Sequence, residues 1–184
     1  KFANDDIRPD WASLSDVEAI VFHTWTMSRF RIASVDGAEK TVTFTGTLSA
    51  NETWPGNFMH QVMGNLFVPA GVTLRIEAGA VVKFDRMLGL TVQTGGVLEV
   101  LGTVARPVIF TSSRDDSVGG DTNGDGSQSS PAAGDWLQIF AEGGTARLNH
   151  CHIKYGGGRT GASWSYSGAL RTGSGGVLTL TDSI

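Results

Sequence analysis

The apolar residues between Asn65 and Ser113 fall in short blocks, and small or turn-forming residues separate one block from the next. The blocks are rich in β-branched and aliphatic side chains, and most of them end at glycine or proline. They cover residues 66–68, 72–76, 81–84, 90–92, 97–100 and 108–111. Blocks of this kind are typical of short strands joined by tight turns, and no helix fits between them. The pattern therefore predicts an all-β fold.

The blocks also repeat along the chain. Leu74 and Ile76 alternate with polar residues, and the same apolar pair returns 24 residues later as Leu98 and Val100. The four residues 95–98 recur letter for letter at 175–178. A repeat of this length predicts a solenoid, in which each coil buries its apolar face on the next coil. We expect one system of stacked inward side chains, formed by Leu74, Ile76, Leu98, Val100, Ile109, Ile153 and Leu178.

Three segments resemble the opening coils of secreted bacterial right-handed parallel β-helix proteins of the pectate-lyase-like kind. They are Val68–Phe84, Pro107–Ser113 and Gly134–Trp136. The resemblance covers about residues 51–184 and implies a right-handed parallel β-helix and an extracellular or cell-surface location in a bacterium. Proteins with such coils include polysaccharide lyases, glycosidases, adhesins and surface proteins, so the resemblance implies no single activity.

Residues 1–50 are predicted to form a small β unit, or the tail of an upstream domain, in front of the β-helix. Strands are expected at 16–23, 29–35 and 41–45, with a hairpin loop at 36–39. The boundary falls within 46–56, and the β-helix occupies 51–184 with an insertion at 114–135. Residues 177–184 end on a coil in progress, which predicts flanking domains or an end-to-end assembly.

The composition narrows the class of partner. Glycine contributes 25 of the 184 residues and is spread between the blocks, which favours a turn-rich β protein. The formal net charge of −4 provides no broad basic surface, so we expect no nucleic-acid partner. No apolar run approaches the roughly 20 residues that span a bilayer. A single cysteine excludes an internal disulfide bond.

The segment 114–127 contains the most specific chemical pattern in the chain. Asp121, Asn123 and Asp125, followed by Gly126, match the start of a calcium-binding loop, in which alternate oxygen ligands converge on one ion. The twelfth position of such a loop is Ala132 here, where a bidentate glutamate is usual. We expect Asp116 to supply a missing ligand, with help from Asp115, the Ser127 carbonyl and water. The alternative interpretation is a solvated acidic surface loop.

Other candidate sites have weaker support. His150 and His152 share one face of a predicted strand while Cys151 points to the other, so this triplet predicts a coil with a buried thiol rather than a metal site. Trp164 and Tyr166 lie in a glycine- and serine-rich loop and are candidates for contact with a polysaccharide, or else cap the core edge. No spacing sets two carboxylates apart as a catalytic acid and base, so no catalytic residue is predicted.

These observations favour an extracellular structural or binding module of a bacterial surface or secreted protein, with structural calcium. Contact with polysaccharide and self-association are its expected interactions. The alternative is a fragment of a polysaccharide lyase or glycosidase whose active site lies outside this segment.

Overall fold

The computed structural model describes residues 18–22, 27–36, 41–44, 46–56, 58–158 and 168–184, and every strand in these ranges belongs to one of two β-units. The first unit is an antiparallel sheet in the order β1-β2-β3. Its strands are β1 (Glu18–Phe22), β2 (Met27–Asp36) and β3 (Thr41–Phe44), which confirms the three strands predicted there. Of the predicted hairpin loop 36–39, residues 37–39 lie outside the described residues.

The second unit is a parallel β-helix, in which each of the first four coils contributes one strand to each of three stacked sheets and the last coil contributes a strand to two of them. The first sheet contains β4 (Gly46–Thr47), β7 (Leu66–Val68), β10 (Leu90–Gln93), β13 (Ile139–Glu142) and β16 (Leu170–Thr172). The second sheet contains β5 (Glu52–Trp54), β8 (Thr73–Glu77), β11 (Val97–Leu101), β14 (Thr145–Asn149) and β17 (Val177–Thr181). The third sheet contains β6 (Met59–Val62), β9 (Val81–Phe84), β12 (Val108–Ser112) and β15 (Cys151–Ile153).

The register between coils follows the repeat in the sequence. In the second sheet Leu98 pairs with Leu74 and Val100 pairs with Ile76, as the 24-residue interval predicts. The two copies of the four-residue repeat lead into β11 and β17 of this same sheet. Parallel pairing begins at Gly46, inside the segment 46–56 that the sequence marks as the boundary, and β2 lies against β5. Among the described residues, no helix is long and apolar enough to cross a membrane.

The core lies inside the coils. Leu74, Ile76, Leu98 and Val100 are buried there as predicted, and Ile153 and Leu178 are partly buried against them. The prediction for Ile109 was wrong, because Val108 and Phe110 point inward and Ile109 lies on the outer face. Since residues 108–110 are all apolar, this block carries no alternation that could set its direction.

Candidate functional site: an acidic loop over the third sheet

The chain between β12 and β13 lies on the outer face of the third sheet. Gly119 is a point of close contact, because a Cβ atom there would lie 3.2 Å from Met59 Cγ and 3.3 Å from Lys83 Cε. Lys83 points outward between the core residues Val82 and Phe84, yet it is 0% exposed. The loop therefore covers the middle of a face that would otherwise meet solvent.

The two ends of the loop are fastened to each other through Asp135. Its Oδ2 accepts hydrogen bonds from Ser112 Oγ at 2.9 Å and from the Ala132 amide at 3.0 Å. Its Oδ1 lies 3.6 Å from Arg114 Nη1. Asp135 is 6% exposed, so these partners compensate for the loss of water around a buried carboxylate. The loop thus leaves the β-helix and returns to it at one fixed place.

Asp115 fastens the start of the loop to the sheet below it. Thr111 Oγ1 donates to Asp115 Oδ2 at 2.6 Å, and the Ser117 hydroxyl donates to Oδ1 at 2.5 Å. Burial alone would raise the pKa of Asp115, but hydrogen bonds from Ser117 and Thr111 outweigh it and hold the pKa below its ordinary value. Asp115 therefore carries a negative charge at neutral pH, and this carboxylate accepts the hydrogen bonds that hold the start of the loop.

Lys83 is a buried positive charge beneath the loop. Its Nζ donates a hydrogen bond to the Gly120 carbonyl at 2.5 Å. Burial lowers the pKa of Lys83, and the nearby carboxylates of Asp115, Asp116 and Asp121 act against this effect. Lys83 therefore tethers the loop by one directed bond and balances part of its negative charge.

The predicted calcium ligands come together above this lysine. Ligand oxygens of Asp116, Asp121 and Asp125 all lie within 4.8 Å of one another. Asn123 lies beside them, but its Nδ2 donates to Asp125 Oδ2 at 2.8 Å. The amide thus turns its nitrogen, and not its oxygen, toward the nearest carboxylate, so a cation at this place requires the amide to rotate.

The backbone of the loop is folded around Asp121. Its Oδ1 accepts from the Gly124 amide at 2.8 Å, and its Oδ2 accepts from the Gly126 amide at 2.8 Å. Gly124 has φ +70° and Gly126 has φ +61°, which glycine adopts without the strain that a side chain causes. The positive φ of Gly126 agrees with the place of glycine in such a motif, where it permits a sharp turn.

The remaining carboxylate oxygens differ in how well they are satisfied. The hydrogen bond from the Ser129 side chain does most to lower the pKa of Asp125, and desolvation opposes it. Bonds from the Gln128 amide and from Asn123 lower this pKa further. Asp116 Oδ2 accepts from Ser127 Oγ at 2.9 Å, whereas the buried Oδ1 has no hydrogen-bond partner among the described residues. Asp116 Oδ1 is thus the oxygen with the greatest need of a further ligand.

The other candidates from the sequence are in different places. Cys151 is 0% exposed and its Sγ lies 3.4 Å from Ser183 Oγ, which confirms the prediction of a buried thiol. Burial raises the pKa of this thiol and the contact with Ser183 opposes the rise. Trp164 and Tyr166 lie outside the described residues, so contact with a polysaccharide there stays a prediction.

Lys83, Glu52 and Asp135 are buried charged residues that the sequence analysis does not predict. The burial of Lys83 has no local signal, since nothing near it in the sequence indicates that residues 119–120 fold over it. Glu52 occupies the inward face of β5 opposite Leu74 and is 4% exposed. The pattern Glu52-Thr53-Trp54 could have indicated this, because inward Trp54 at two residues' distance implies an inward Glu52.

The stacked sheets and the filled interior define the chain as a parallel β-helix protein. A family model for the pectate-lyase like beta helix domain matches residues 46–161, which is more than half of the chain. The chain therefore belongs to the family of pectate-lyase-like β-helix domains. Neither the comparison with curated proteins nor the comparison with solved structures finds a match. The family connects the chain with carbohydrate-related proteins and assigns it no reaction.

Proposed function

We propose that the chain is an extracellular, non-enzymatic module of a bacterial surface or secreted protein, which spaces or presents other domains. The observation that carries this proposal is the loop over the third sheet. The interior of the β-helix is filled with side chains, so a polysaccharide can bind only to an outer face or to loops. On the third sheet the loop and the buried Lys83 occupy that place, and the carboxylates of Asp115 and Asp135 are used in holding the loop.

The test is an assay for turnover. The chain is incubated with a panel of uronic-acid and neutral polysaccharides, with and without calcium, and both unsaturated products and reducing ends are measured. We expect no product above a control without protein. Turnover that is lost in an Asp116→Asn or Asp121→Asn variant, but kept in the exposed-site control Asp182→Asn, would overturn the proposal, because the chain itself would then carry a polysaccharide-cleaving site.

The loop is proposed to bind calcium through Asp116, Asp121 and Asp125, with the Asn123 oxygen after rotation of its amide. Support comes from three carboxylates within 4.8 Å and from the unpartnered Asp116 Oδ1. Calcium prefers several oxygen ligands in a flexible arrangement, which this loop offers together with water. The role of the ion would be structural, since binding to the folded state alone adds stability by mass action.

Thermal unfolding with excess calcium and with a chelator tests this site. Calcium at 100 times its dissociation constant is expected to stabilise the chain by about 2.7 kcal/mol, and Asp125→Asn should remove most of that gain. The control Asp182→Asn, an exposed acid outside the loop, should keep it. An equal melting temperature with calcium and with chelator would exclude the site. Lys83 would then be the cation that balances the negative charge of the loop.

Contact with polysaccharide is proposed for the loop that carries Trp164 and Tyr166. Retention of the chain on immobilised polysaccharides measures it. Trp164→Ala together with Tyr166→Ala should abolish retention, whereas Val104→Ala, at a position that is 86% exposed, should not. Retention that is equal in all three proteins would place the contact elsewhere.

Self-association is proposed through β17, an outer strand of the second sheet in the 184-residue chain. Val177 is 52% exposed and Leu180 is 47% exposed. The strand Val177–Thr181 carries no charged residue, and charges are a usual means of keeping an edge strand unpaired. Sedimentation at rising concentration should reveal association in the wild type and less of it in Leu180→Lys. A wild type that stays monomeric would contradict the proposal.

A further inference from the structure

Asn123 is followed by Gly124, and this is the single Asn-Gly pair in the 184-residue sequence. Both residues are exposed, at the outer part of the loop. A glycine after an asparagine leaves the next backbone nitrogen free of a neighbouring Cβ atom, so this nitrogen can approach the side-chain amide carbon. The pair is therefore the place in the chain where an intramolecular attack on an asparagine side chain meets the least steric resistance.

One contact around the pair favours this reaction, and the others hold the side-chain amide in place. The Gly124 N–H donates to Asp121 Oδ1 at 2.8 Å, so a carboxylate lies in position to take the proton of the attacking nitrogen. The Asn123 side-chain nitrogen, which is the group that leaves, is held by Asp125 Oδ2 at 2.8 Å and by Ser129 Oγ at 2.9 Å.

We propose that Asn123 is a site of spontaneous deamidation, which adds a carboxylate to the acidic loop. Gly124 N forms a bond to Asn123 Cγ, the bond from Cγ to Nδ2 breaks, and ammonia leaves with the proton from Gly124 N. Water then opens the resulting succinimide at either carbonyl, which gives aspartate or isoaspartate. Overall, one water is consumed and one ammonia is released, with no oxidant or reductant.

The product changes the loop in a defined direction. Two donated hydrogen bonds are lost, those to Asp125 and to Ser129, and a negative charge is placed beside the Asp125 carboxylate. Like charges at this distance repel each other, so the loop without a cation becomes less stable. If the calcium proposal holds, on which this last step rests, the aspartate product adds an oxygen ligand and makes closure of the loop depend more strongly on calcium.

Mass spectrometry tests the deamidation without reference to calcium. Trypsin releases residues 115–147, a peptide in which Asn123 is the single asparagine. After the folded chain is kept at mildly alkaline pH, this peptide is expected to gain the mass difference between an amide and an acid. The peptides that contain Asn65 or Asn149 serve as internal controls, because these residues precede Leu66 and His150 and not a glycine. They should remain unchanged. The variant Asn123→Gln should show no gain of mass.

The same peptide incubated alone, after digestion, provides the reference rate. Gain of mass in the folded chain that reaches at least the rate of the free peptide supports the proposal. A folded chain that stays unmodified while the free peptide reacts would overturn it, because the hydrogen bonds of the loop would then protect Asn123. The Asn123→Asp variant, compared with wild type in calcium and in chelator, tests the consequence for calcium by a separate measurement.

Discussion

Trp136 connects the end of the loop to the core of the β-helix. The residue is 0% exposed, its ring stacks on Phe84 with centroids 4.4 Å apart, and its indole N–H donates to the Lys154 carbonyl at 2.7 Å. β13 begins only at Ile139, so Trp136 packs in the core from a position in front of this strand. A large aromatic side chain at this point stabilises loop and core together.

Replacement of Trp136 by alanine is expected to destabilise the chain by about 3–5 kcal/mol, because the change leaves a cavity against Phe84 and an unpaired carbonyl. Denaturation in urea measures the difference. Val104→Ala, at an exposed turn position, is the control and should change stability by less than about 0.5 kcal/mol. A Trp136→Ala variant as stable as this control would mean that the ring does not pack in the core.

Glu52 is the buried acid of the first coil. Its Oε2 accepts from the Trp54 indole at 3.2 Å, and its Oε1 has no partner among the described residues. Burial raises its pKa from 4.5 to about 7, and the bond from Trp54 opposes the rise. The folded chain thus binds this proton more tightly than the unfolded chain does. The contribution of protonated Glu52 to the free energy of unfolding is therefore complete below about pH 4.5 and is lost as the pH rises to about 7.

The variant Glu52→Gln should remove this pH dependence. In the wild type the contribution amounts to at most ~3 kcal/mol between those pH values, and glutamine keeps the shape without the proton. Urea denaturation at several pH values, on both proteins, measures the difference in slope. Parallel pH profiles of wild type and variant would show that Glu52 does not titrate inside the fold.

At the scale of elements, the second sheet was the best predicted part of the chain. Its strands alternate clearly, so Leu74 and Leu98 could be paired from the sequence. The direction of the Ile109 side chain was predicted wrongly because Val108 and Phe110 on either side are also apolar. Either face of this strand could therefore have been the inward one. The proximity of Asp121 and Asp125 was predictable because both belong to one local motif. Burial of Lys83 was not, because the contact joins residues far apart in the sequence.

Lys83 connects two elements, β9 and the loop, and its replacement tests that connection. Lys83→Met keeps the aliphatic stem but loses the bond to Gly120 and the charge beside three carboxylates. We expect local opening of the loop to become easier by about 1–3 kcal/mol. Limited proteolysis should therefore cut within residues 114–135 more quickly. The exposed Arg147→Met on the second sheet is the control for loss of charge, and equal cleavage of both variants would exclude the tether.

At the scale of the whole molecule, the outer face of the third sheet of the β-helix is closed by the loop between β12 and β13. Closure explains why a lysine on an outward strand position is 0% exposed. This arrangement supports the proposal of a module that spaces or presents other domains.

Acylation of lysine amines, read by mass spectrometry on the folded chain, tests this closure most directly. Lys154 is half-buried at the end of β15 and serves as the internal reference. If the loop left Lys83 open to solvent, burial would no longer lower its pKa, and the amine would react at about the rate of an ordinary lysine. We predict that Lys83 stays unmodified while Lys154 is acylated, and that unfolding makes both react. Modification of Lys83 in the folded chain at the rate of Lys154 would contradict the account, because the third sheet would then be open to solvent and to substrate.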